Sequence, residues 1–447
     1  MVRVRFAPSP TGLLHIGNAR AAVLPWLFAR HHKGEFMLRL DDTDRERSTD
    51  AFAAAILDDM TWLGLSYDLS AKQSDRFDRY HEEMQKLIAS GRLYPCYETP
   101  EELDFKRKRL LAKGEPPIYD RAALTLTDAD RTKYEAEGRK PHWRFKLMPG
   151  KIAWNDHIRG AVEFDSNRIS DPVLVRADGV YLYTLASVID DVDFGITHIV
   201  RGEDHVTNTA TQIQLFEAIT GNPCTVEFAH FTLLVDKNGQ GLSKRLGSLS
   251  LQSMREKGLS PMAVNCLMAR LGTSLPVEPA LSLDDLAQTF SFSIFSRTAP
   301  HFDDHDLDIL NHKLLTITPY EHVKDRLPHT INAALWELIR GNLESMDDIA
   351  HWGKIIGDDL DVTTHEDSDY IKEACDALVA LSDAPWDTTT WSLWTNTLKE
   401  KTGRKGRALF MPLRQALTGF DHGPEMKDLL PYIGRDRAIA RLTKAIG

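Results

Sequence analysis

Hydrophobic and polar positions change their spacing twice near the start of the chain. Apolar residues alternate with arginines over residues 2–6, which predicts a strand with one buried face. Two prolines and a glycine interrupt this pattern over residues 8–12, and a helical stripe of apolar residues follows over residues 17–30. The strand therefore leads through a tight turn, which contains His15, into the N-terminus of a helix. Free N–H groups and the helix dipole favour a phosphate there, and Gly17 would let the backbone approach it closely.

Strands and helices continue to alternate after this first pair. An apolar run over residues 35–41 predicts a second, more buried strand, which ends in an acidic cluster that begins with Asp41. Helical stripes follow over residues 52–60 and 77–88. Alternation of this kind favours a parallel sheet. The carboxyl edge of such a sheet faces the ligand crevice, and we therefore expect the acidic cluster at that crevice.

The pattern changes between about residues 94 and 180. A helical stretch over residues 101–112 gives way to short β-like pieces at residues 142–147 and 161–164. Because these pieces separate two stretches with the same α/β pattern, they indicate an insertion.

The α/β pattern resumes over residues 181–191. It then predicts a strand at residues 196–201, a helix at residues 206–220 and a strand at residues 228–235. Beyond about residue 250 the strand patterns disappear and helical stripes recur to the end of the sequence. The second half is therefore predicted to be all helical.

Composition and charge bound the possible functions. The chain has 447 residues, enough for two to four domains, and a formal net charge of -11. The acidic balance argues weakly against a nucleic-acid partner, because phosphate binding needs basic surface. Two basic clusters, over residues 106–113 and 399–414, oppose the average, although a single run of this kind is usually a solvated helix face.

Cysteine spacing and hydropathy indicate the compartment. The four cysteines, Cys96, Cys224, Cys266 and Cys375, are far apart and form no CxxC pair. Neither a disulfide framework nor a cysteine zinc site is therefore indicated. No stretch approaches the roughly 20 apolar residues that a membrane helix needs, and no leader pattern precedes the first strand. We expect a cytoplasmic protein.

Several residues at the strand ends are suited to chemistry, although each is weak evidence alone. Arg5 and Arg201 end two predicted strands, His15 lies in the first turn, Asp41 opens the acidic cluster, and residues 241–247 form a glycine- and base-rich loop. Any one of them alone would ordinarily be a surface arginine, a capped turn or a solvated loop. Their occurrence in order at the ends of consecutive strands points to a single ligand site.

Two of these segments resemble known signatures. Residues 7–18, APSPTGLLHIGN, resemble the HIGH signature of class I aminoacyl-tRNA synthetases, in the form found in the glutamyl-tRNA synthetases. Residues 242–245, LSKR, resemble the second, KMSKS-type signature. Residues 38–44, 195–205 and 408–414 are also similar to segments of that family, so the resemblance covers nearly the whole chain.

The resemblance implies an α/β fold with a Rossmann-like class I catalytic domain, an α+β insertion and an all-α C-terminal half. The catalytic domain would consist of residues 1–94 and 181–250, with residues 95–180 as an insertion that binds the acceptor end of tRNA. A helical stem-contact region would follow at residues 251–305, and a helical anticodon-binding domain at residues 306–447.

The implied activity is that of a glutamate–tRNA ligase. Such an enzyme uses ATP, with Mg²⁺, to convert L-glutamate to glutamyl-adenylate, and transfers the glutamate to the 3'-terminal adenosine of tRNA(Glu). By resemblance, the catalytic residues are His15 and Lys244, and the ATP contacts are His15, Gly17, Asn18, Ser243, Lys244 and Arg245. The glutamate pocket would consist of Arg5, Ala7, Ser9, Asp41, Tyr183 and Arg201.

Physical chemistry agrees with these roles. Glutamate has two carboxylates, and guanidinium groups such as those of Arg5 and Arg201 can each hold a carboxylate by two hydrogen bonds.

The basic residues expected to contact tRNA are Lys401, Arg404, Lys405, Arg407 and Arg414. We expect a monomer with no membrane partner.

The sequence departs from the family pattern at four places. Asn18 replaces the last histidine of the first signature, and Asp41 stands where glutamate is usual. Gly241 replaces the first lysine of the second signature, which leaves Lys244 to act alone. Some members carry a cysteine-rich zinc site in the insertion, but only Cys96 is present here, and we therefore expect no zinc.

Three other functions stay open. The enzyme could charge tRNA(Gln) with glutamate, alone or together with tRNA(Glu), and the sequence does not distinguish these substrates. A tRNA-modifying relative that glutamylates a base would resemble only the catalytic half, so the helical half over residues 250–447 argues against it. A catalytically inactive tRNA-binding protein is disfavoured by the presence of His15 and Lys244.

Overall fold

The structure, a computed structural model, describes residues 1–242, 250–357 and 360–447. These residues form two units, each with its own hydrophobic core. The first unit consists of Met1–Arg255 and Val264–Asp304, and the second consists of Glu256–Ala263 and His305–Gly447.

Strands of the described residues are confined to the first unit. They are β1 (Arg3–Phe6), β2 (Glu35–Leu40), β3 (Leu69–Lys72), β4 (Leu93–Cys96), β5 (His142–Phe145), β6 (Lys151–Asp156), β7 (Gly160–Asp165), β8 (Val173–Val175), β9 (His198–Gly202) and β10 (Glu227–Phe231).

Parallel pairing holds the centre of this unit, as the alternation of strands and helices predicts. β1, β2 and β3 form one parallel sheet in that order, and β9, β10 and β6 form another, with β7 antiparallel to β6 at its edge. The two sheets adjoin, because the Thr197 N–H before β9 donates to the Arg3 carbonyl of β1 at 2.9 Å. β4, β5 and β8 form a separate antiparallel sheet.

The helices of the first unit cover the sheets. They are α1 (Ile16–His31), α2 (Asp50–Leu63), α3 (Phe77–Ala89), α4 (Pro100–Ala112), α5 (Asp128–Ala136), α6 (Tyr183–Asp193), α7 (Val206–Thr220), α8 (Leu251–Glu256), α9 (Pro261–Arg270) and α10 (Leu283–Gln288). The chain passes between the units within α8 and within α9. The predicted helix at residues 206–220 is confirmed with the same limits.

The second unit is helical throughout its described residues, as predicted. Its helices are α11 (Asp304–Ile317), which begins at the unit boundary, α12 (Ala333–Ile339), α13 (Asp348–Ile356), α14 (Ser368–Val379), α15 (Thr390–Thr402), α16 (Arg407–Thr418), α17 (Met426–Ile433) and α18 (Arg435–Ile446). Trp336 and Trp394 are completely buried in its core, where each indole N–H donates to a backbone carbonyl at 2.8 Å. Among the helices of the described residues, none is both long enough and apolar enough to cross a membrane.

One predicted strand is shorter in the structure, and one hairpin joins a sheet that its place in the predicted insertion did not indicate. The predicted strand at residues 228–235 ends at Phe231, because the chain then leaves the sheet and the Val235 N–H donates to the Pro300 carbonyl at 3.1 Å. The hairpin of β6 and β7 lies in the stretch predicted as an insertion, yet it extends the sheet of β9 and β10. This hairpin places Asp156, the last residue of β6, opposite Phe228 of β10, where its carboxylate accepts from the His230 N–H at 3.1 Å.

Candidate active site

A cavity of about 980 Å³ lies where the carboxyl ends of β1, β9 and β10 meet the N-terminus of α1. This is the edge at which open parallel sheets bind ligands. The cavity is lined by eight of the residues predicted from the sequence, namely Arg5, Ala7, Ser9, His15, Gly17, Asn18, Tyr183 and Arg201. Gly241 also lines it, whereas Ser243, Lys244 and Arg245 lie outside the described residues.

His15 serves as the N-cap of α1. Its Nδ1 accepts a hydrogen bond from the Gly17 N–H at 3.0 Å, and the Asn18 side chain accepts one from the His15 N–H at 3.1 Å. Because Nδ1 accepts, the proton of the neutral ring resides on Nε2. Burial lowers the pKa of His15, which favours this neutral form. A Cβ at position 17 would lie 2.9 Å from the His15 ring, so glycine is needed there for the ring to adopt this position.

Arg201 is a buried guanidinium whose side-chain partners are all neutral. It donates to Tyr183 Oη at 3.0 Å, Thr209 Oγ1 at 2.6 Å, Gln212 Oε1 at 2.7 Å and His230 Nε2 at 3.2 Å. Within the described residues, no carboxylate forms an ion pair with it, and burial lowers its pKa. A buried cation without a counter-charge favours a bound anion.

His230 is held in turn by Asp156. Both side chains are fully buried, and His230 Nδ1 lies 2.5 Å from Asp156 Oδ2. A carboxylate only accepts hydrogen bonds, so Nδ1 donates and Nε2 is left to accept from Arg201. Neither residue was predicted from the sequence, because the two are 74 positions apart and no local pattern joins them.

Arg5 is oriented by a second buried network. Its Nε lies 3.2 Å from Asp191 Oδ1, and Arg39 shares the same oxygen at 2.8 Å. Asp191 lies on the buried face of α6 and was also not identified from the sequence. The Asp191 carboxylate therefore holds Arg5 in place, and Arg39 shares the negative charge of that carboxylate.

Asp41 belongs to that network and does not line the cavity. Its Oδ1 accepts from Arg39 Nε at 2.7 Å. Burial raises the pKa of Asp41 to about 6, although Arg39 opposes the shift. Its backbone N–H donates to the Pro8 carbonyl at 2.9 Å, between Ala7 and Ser9, and its predicted contact with glutamate stays a prediction.

The five basic residues of the second unit differ in their surroundings. The exposed ones are Lys401, Lys405 and Arg407. Arg404 pairs with Asp367 and lies over the Tyr370 ring, with its guanidinium carbon 4.0 Å from the ring centre. Arg414 is half-buried and donates to the Pro424 carbonyl at 2.8 Å. Lys401, Lys405 and Arg407 are therefore the basic residues available to a nucleic acid.

Potential metal ligands occur near Cys96. The ligand atoms of Cys96, Glu98 and His142 lie within 4.8 Å of one another. Tyr119 and Lys106 already contact Glu98, at 2.9 and 3.2 Å. The expectation of no zinc at this place stays a prediction.

Comparison with known proteins identifies the family. Residues 1–309 match the family model "tRNA synthetases class I (E and Q), catalytic domain", and residues 313–446 match the model "Anticodon binding domain". The chain belongs to the class I tRNA synthetases of the E and Q group. This synthetase is therefore an aminoacyl-tRNA ligase, and its predicted fold class is confirmed.

Curated relatives of the synthetase extend over its full length. It is 54% identical over 444 residues to glutamate–tRNA ligase 1 of Parvibaculum lavamentivorans, with 98% of each chain covered. It is 51% identical over 450 residues to the glutamate–tRNA ligase of Azospirillum brasilense, with 99% of this chain and 98% of that one covered. A crystal structure of a glutamate tRNA ligase from Elizabethkingia meningosepticum, in complex with its amino acid, matches with a TM-score of 0.83. That match has 28% identity and covers 100% of this chain and 99% of the other.

Proposed function

We propose how this synthetase, a glutamate–tRNA ligase, uses the cavity for its reaction. Arg201 is the observation that carries the proposal, because its buried positive charge is matched only by neutral groups and faces the cavity. The carboxylates of L-glutamate supply the missing negative charge. Arg5, whose Nε pairs with Asp191, lines the same cavity, so a second guanidinium is available to the other carboxylate of the substrate. Ala7, Ser9 and Tyr183 line the remainder of the amino-acid pocket.

The first step is the formation of glutamyl-adenylate. An oxygen of the α-carboxylate bonds to the α-phosphorus of ATP, and the bond from that phosphorus to the leaving pyrophosphate breaks. The Nε2–H of His15 and the positive end of the α1 dipole, beside Gly17 and Asn18 in the cavity lining, are suited to the phosphate oxygens. Lys244, with Ser243 and Arg245, is proposed from the sequence alone to neutralise charge on the departing pyrophosphate.

Mg²⁺ is proposed to accompany ATP. Magnesium prefers oxygen ligands and is usually held by one or two carboxylates together with substrate phosphates. Glu203 and Asp204 supply carboxylate oxygens at the cavity, which fits this donor set. Asp204 is the more exposed of the two, whereas Glu203 pairs with Arg159 at 2.5 Å. The ion would neutralise phosphate charge while the protein orients the reactants.

The second step transfers glutamate to tRNA. A ribose hydroxyl of the 3'-terminal adenosine attacks the carbonyl carbon of the adenylate, and AMP leaves. We propose that residues 95–180 bind the acceptor end, residues 251–305 contact the stem, and residues 306–447 bind the anticodon region. The match of residues 313–446 to an anticodon-binding model supports the last assignment. A role in translation also supports a cytoplasmic location.

The test is charging with labelled glutamate on purified tRNA(Glu) and tRNA(Gln) side by side, with ATP and Mg²⁺. We expect product on tRNA(Glu) alone. Product on tRNA(Gln) would show that the enzyme does not discriminate between them, and no product on either would contradict the proposed function.

A substitution tests the amino-acid pocket in the same assay. Arg201→Lys keeps the charge but loses the planar fork, and we expect it to raise the KM for glutamate by about 10–100-fold. Arg47→Lys, at a side chain that is 74% exposed, is the matched control and should leave the KM for glutamate unchanged. An unchanged KM for glutamate in Arg201→Lys would contradict the role of Arg201.

A further inference from the structure

Imidazole and carboxylate groups gather at the end of β9 and β10 that is remote from the cavity. His198 is the first residue of β9, Glu227 is the first residue of β10, and the two are direct partners in the parallel pair. Arg201, which lines the cavity, lies three residues further along β9. A strand rises about 3.3 Å per residue, so roughly 10 Å of strand separates His198 from Arg201. The cluster is therefore separate from the candidate active site.

A second histidine completes the cluster. His157 follows β6, and its backbone N–H donates to the Phe228 carbonyl at 2.9 Å, which places it beside Glu227. His157 Nε2 lies 2.6 Å from Glu227 Oε2, and His198 Nε2 lies 3.6 Å from Glu227 Oε1. The three ligand atoms lie within 4.8 Å of one another. Zinc bonds of about 2.1 Å place tetrahedral ligand atoms about 3.4 Å apart, so small side-chain shifts would produce this geometry.

Thr197 holds the other side of the His198 ring. Its Oγ1 lies 2.8 Å from His198 Nδ1, and the same hydroxyl contacts the Arg3 N–H at 2.9 Å and the Arg3 carbonyl at 3.2 Å. The opposite ring nitrogen, Nε2, faces the Glu227 carboxylate. A cation between Nε2 and that carboxylate would bind both, and an outer hydrogen bond of this kind is typical of metal-binding histidines.

Aromatic packing holds both rings in place. The His198 ring centre lies 5.0 Å from that of Phe28, and the His157 ring centre lies 5.3 Å from that of Phe292. Phe28 and Phe292 stack on each other at 4.6 Å. The donor atoms are thus positioned by backbone pairing and by packing before any ion binds, which reduces the entropy lost on binding.

We propose that His157, His198 and Glu227 form a binding site for a divalent transition-metal ion, with Zn²⁺ as the best match. Two imidazoles and one carboxylate favour zinc and its neighbours over magnesium and calcium, which prefer oxygen ligands alone. Three protein ligands leave one position for water or for a fourth group. The site joins the starts of β9 and β10 to the end of β6, so the bound ion would stabilise this edge of the sheet.

The experiment is a titration of the full chain with Co²⁺, a spectroscopic substitute for Zn²⁺. We expect one saturable site with the absorption of nitrogen and oxygen ligands, from which Zn²⁺ displaces Co²⁺ and Mg²⁺ does not. His157→Ala and His198→Asn should each weaken binding by about 30-fold or more. The asparagine keeps an N–H donor toward Thr197, and so it removes the ligand with little disturbance to the strand.

Control variants distinguish this site from metal binding elsewhere on the chain. His329→Ala, at an exposed histidine of the second unit, should bind Co²⁺ as the unsubstituted chain does. Without added metal, both ligand variants should unfold in urea close to the midpoint of the unsubstituted chain, which shows that they fold. Binding within twofold in both ligand variants would overturn the proposal. So would a thiolate-to-cobalt absorption that disappears in Cys96→Ser, because the ion would then lie at Cys96.

Discussion

Asp156 fixes the tautomer of His230, and through it the orientation of Arg201. Burial alone would raise the pKa of Asp156, but hydrogen bonds from the His230 ring and from backbone N–H groups hold it at about 2. The carboxylate is therefore ionised at neutral pH and keeps the proton of the neutral His230 ring on Nδ1. The unprotonated Nε2 then accepts from Arg201 Nε at 3.2 Å. Two residues that do not touch the cavity thereby determine how the buried guanidinium is presented to a ligand.

Asp156→Asn is expected to disturb this orientation without removing any cavity residue. The amide presents hydrogens to the ring, so the proton of His230 moves to Nε2 and opposes the N–H of Arg201. We expect the KM for glutamate to rise about tenfold, the loss of one charge-assisted hydrogen bond, with the KM for ATP within twofold. ATP–pyrophosphate exchange with tRNA present measures both constants. Asp58→Asn, on the exposed surface, is the matched control, and equal changes in both constants would count against a positioning role.

His15 combines two functions that two substitutions can separate. His15→Ala removes both the helix cap and the Nε2–H donor, so we expect a loss of about 1 kcal/mol in stability and a 10²–10³-fold slower adenylate formation. His15→Asn supplies a side-chain oxygen for the cap but no donor at the position of Nε2. Its unfolding midpoint in urea should be close to that of the unsubstituted chain, while adenylate formation stays as slow as in His15→Ala. Recovery of the rate in His15→Asn would show that the histidine acts only as a cap.

The basic residues of the second unit are expected to behave differently from one another. Lys405 and Arg407 are exposed, so the double alanine variant should lower the slope of log K for tRNA against log salt by about 1–2. Arg404→Ala should mainly lower the unfolding midpoint, because it breaks the ion pair with Asp367 and the packing on Tyr370. Binding measured at several salt concentrations compares the variants. An unchanged slope in the double variant would exclude Lys405 and Arg407 as phosphate contacts.

The spacing of apolar residues predicted most of the helices and strands, because the burial of these elements in the core imposes that spacing. The helix at residues 206–220 is confirmed, with residues 209–216 buried on every side. The strand at residues 228–235 was predicted too long because its last residues are apolar as well, although Leu234 packs outside the sheet. The apolar character of a residue does not show whether it is buried against a loop or within a hydrogen-bonded β-sheet. Local pattern therefore located the elements better than it located their ends.

The cavity was predicted where its residues belong to local motifs, and not where they act across the fold. Arg5 and Arg201 lie near the ends of β1 and β9, His15 lies in the turn after β1, and all three belong to recognisable segments. Asp191, by contrast, contacts Arg5 across 186 residues of sequence, a distance at which no spacing rule operates. Asp41 was assigned to the pocket by resemblance; it pairs with Arg39, two residues before it, and its contact with glutamate stays a prediction.

Asp59 provides a test of stability against pH. It lies on α2 with 1% of its side chain exposed, and its Oδ1 is 3.5 Å from Arg255 NH1. Burial raises the pKa of Asp59 to about 6, an effect that Arg255 only partly offsets. The folded state therefore binds this proton more tightly than the unfolded state does. The resulting stabilisation is fully present below about pH 4 and is lost as the pH rises through 6, by about 2–3 kcal/mol in total.

Asp59→Asn removes this titration, because an amide has no ionised form at these pH values. The free energy of unfolding of the variant, relative to that of the unsubstituted chain, should therefore increase between pH 5 and pH 8 by about 1–3 kcal/mol. Urea unfolding followed at several pH values measures the difference. For Asp58→Asn, at the exposed neighbouring position, the free energy of unfolding plotted against pH should instead run parallel to that of the unsubstituted chain. Parallel curves for Asp59→Asn as well would mean that Asp59 is solvated and ionises in the ordinary range.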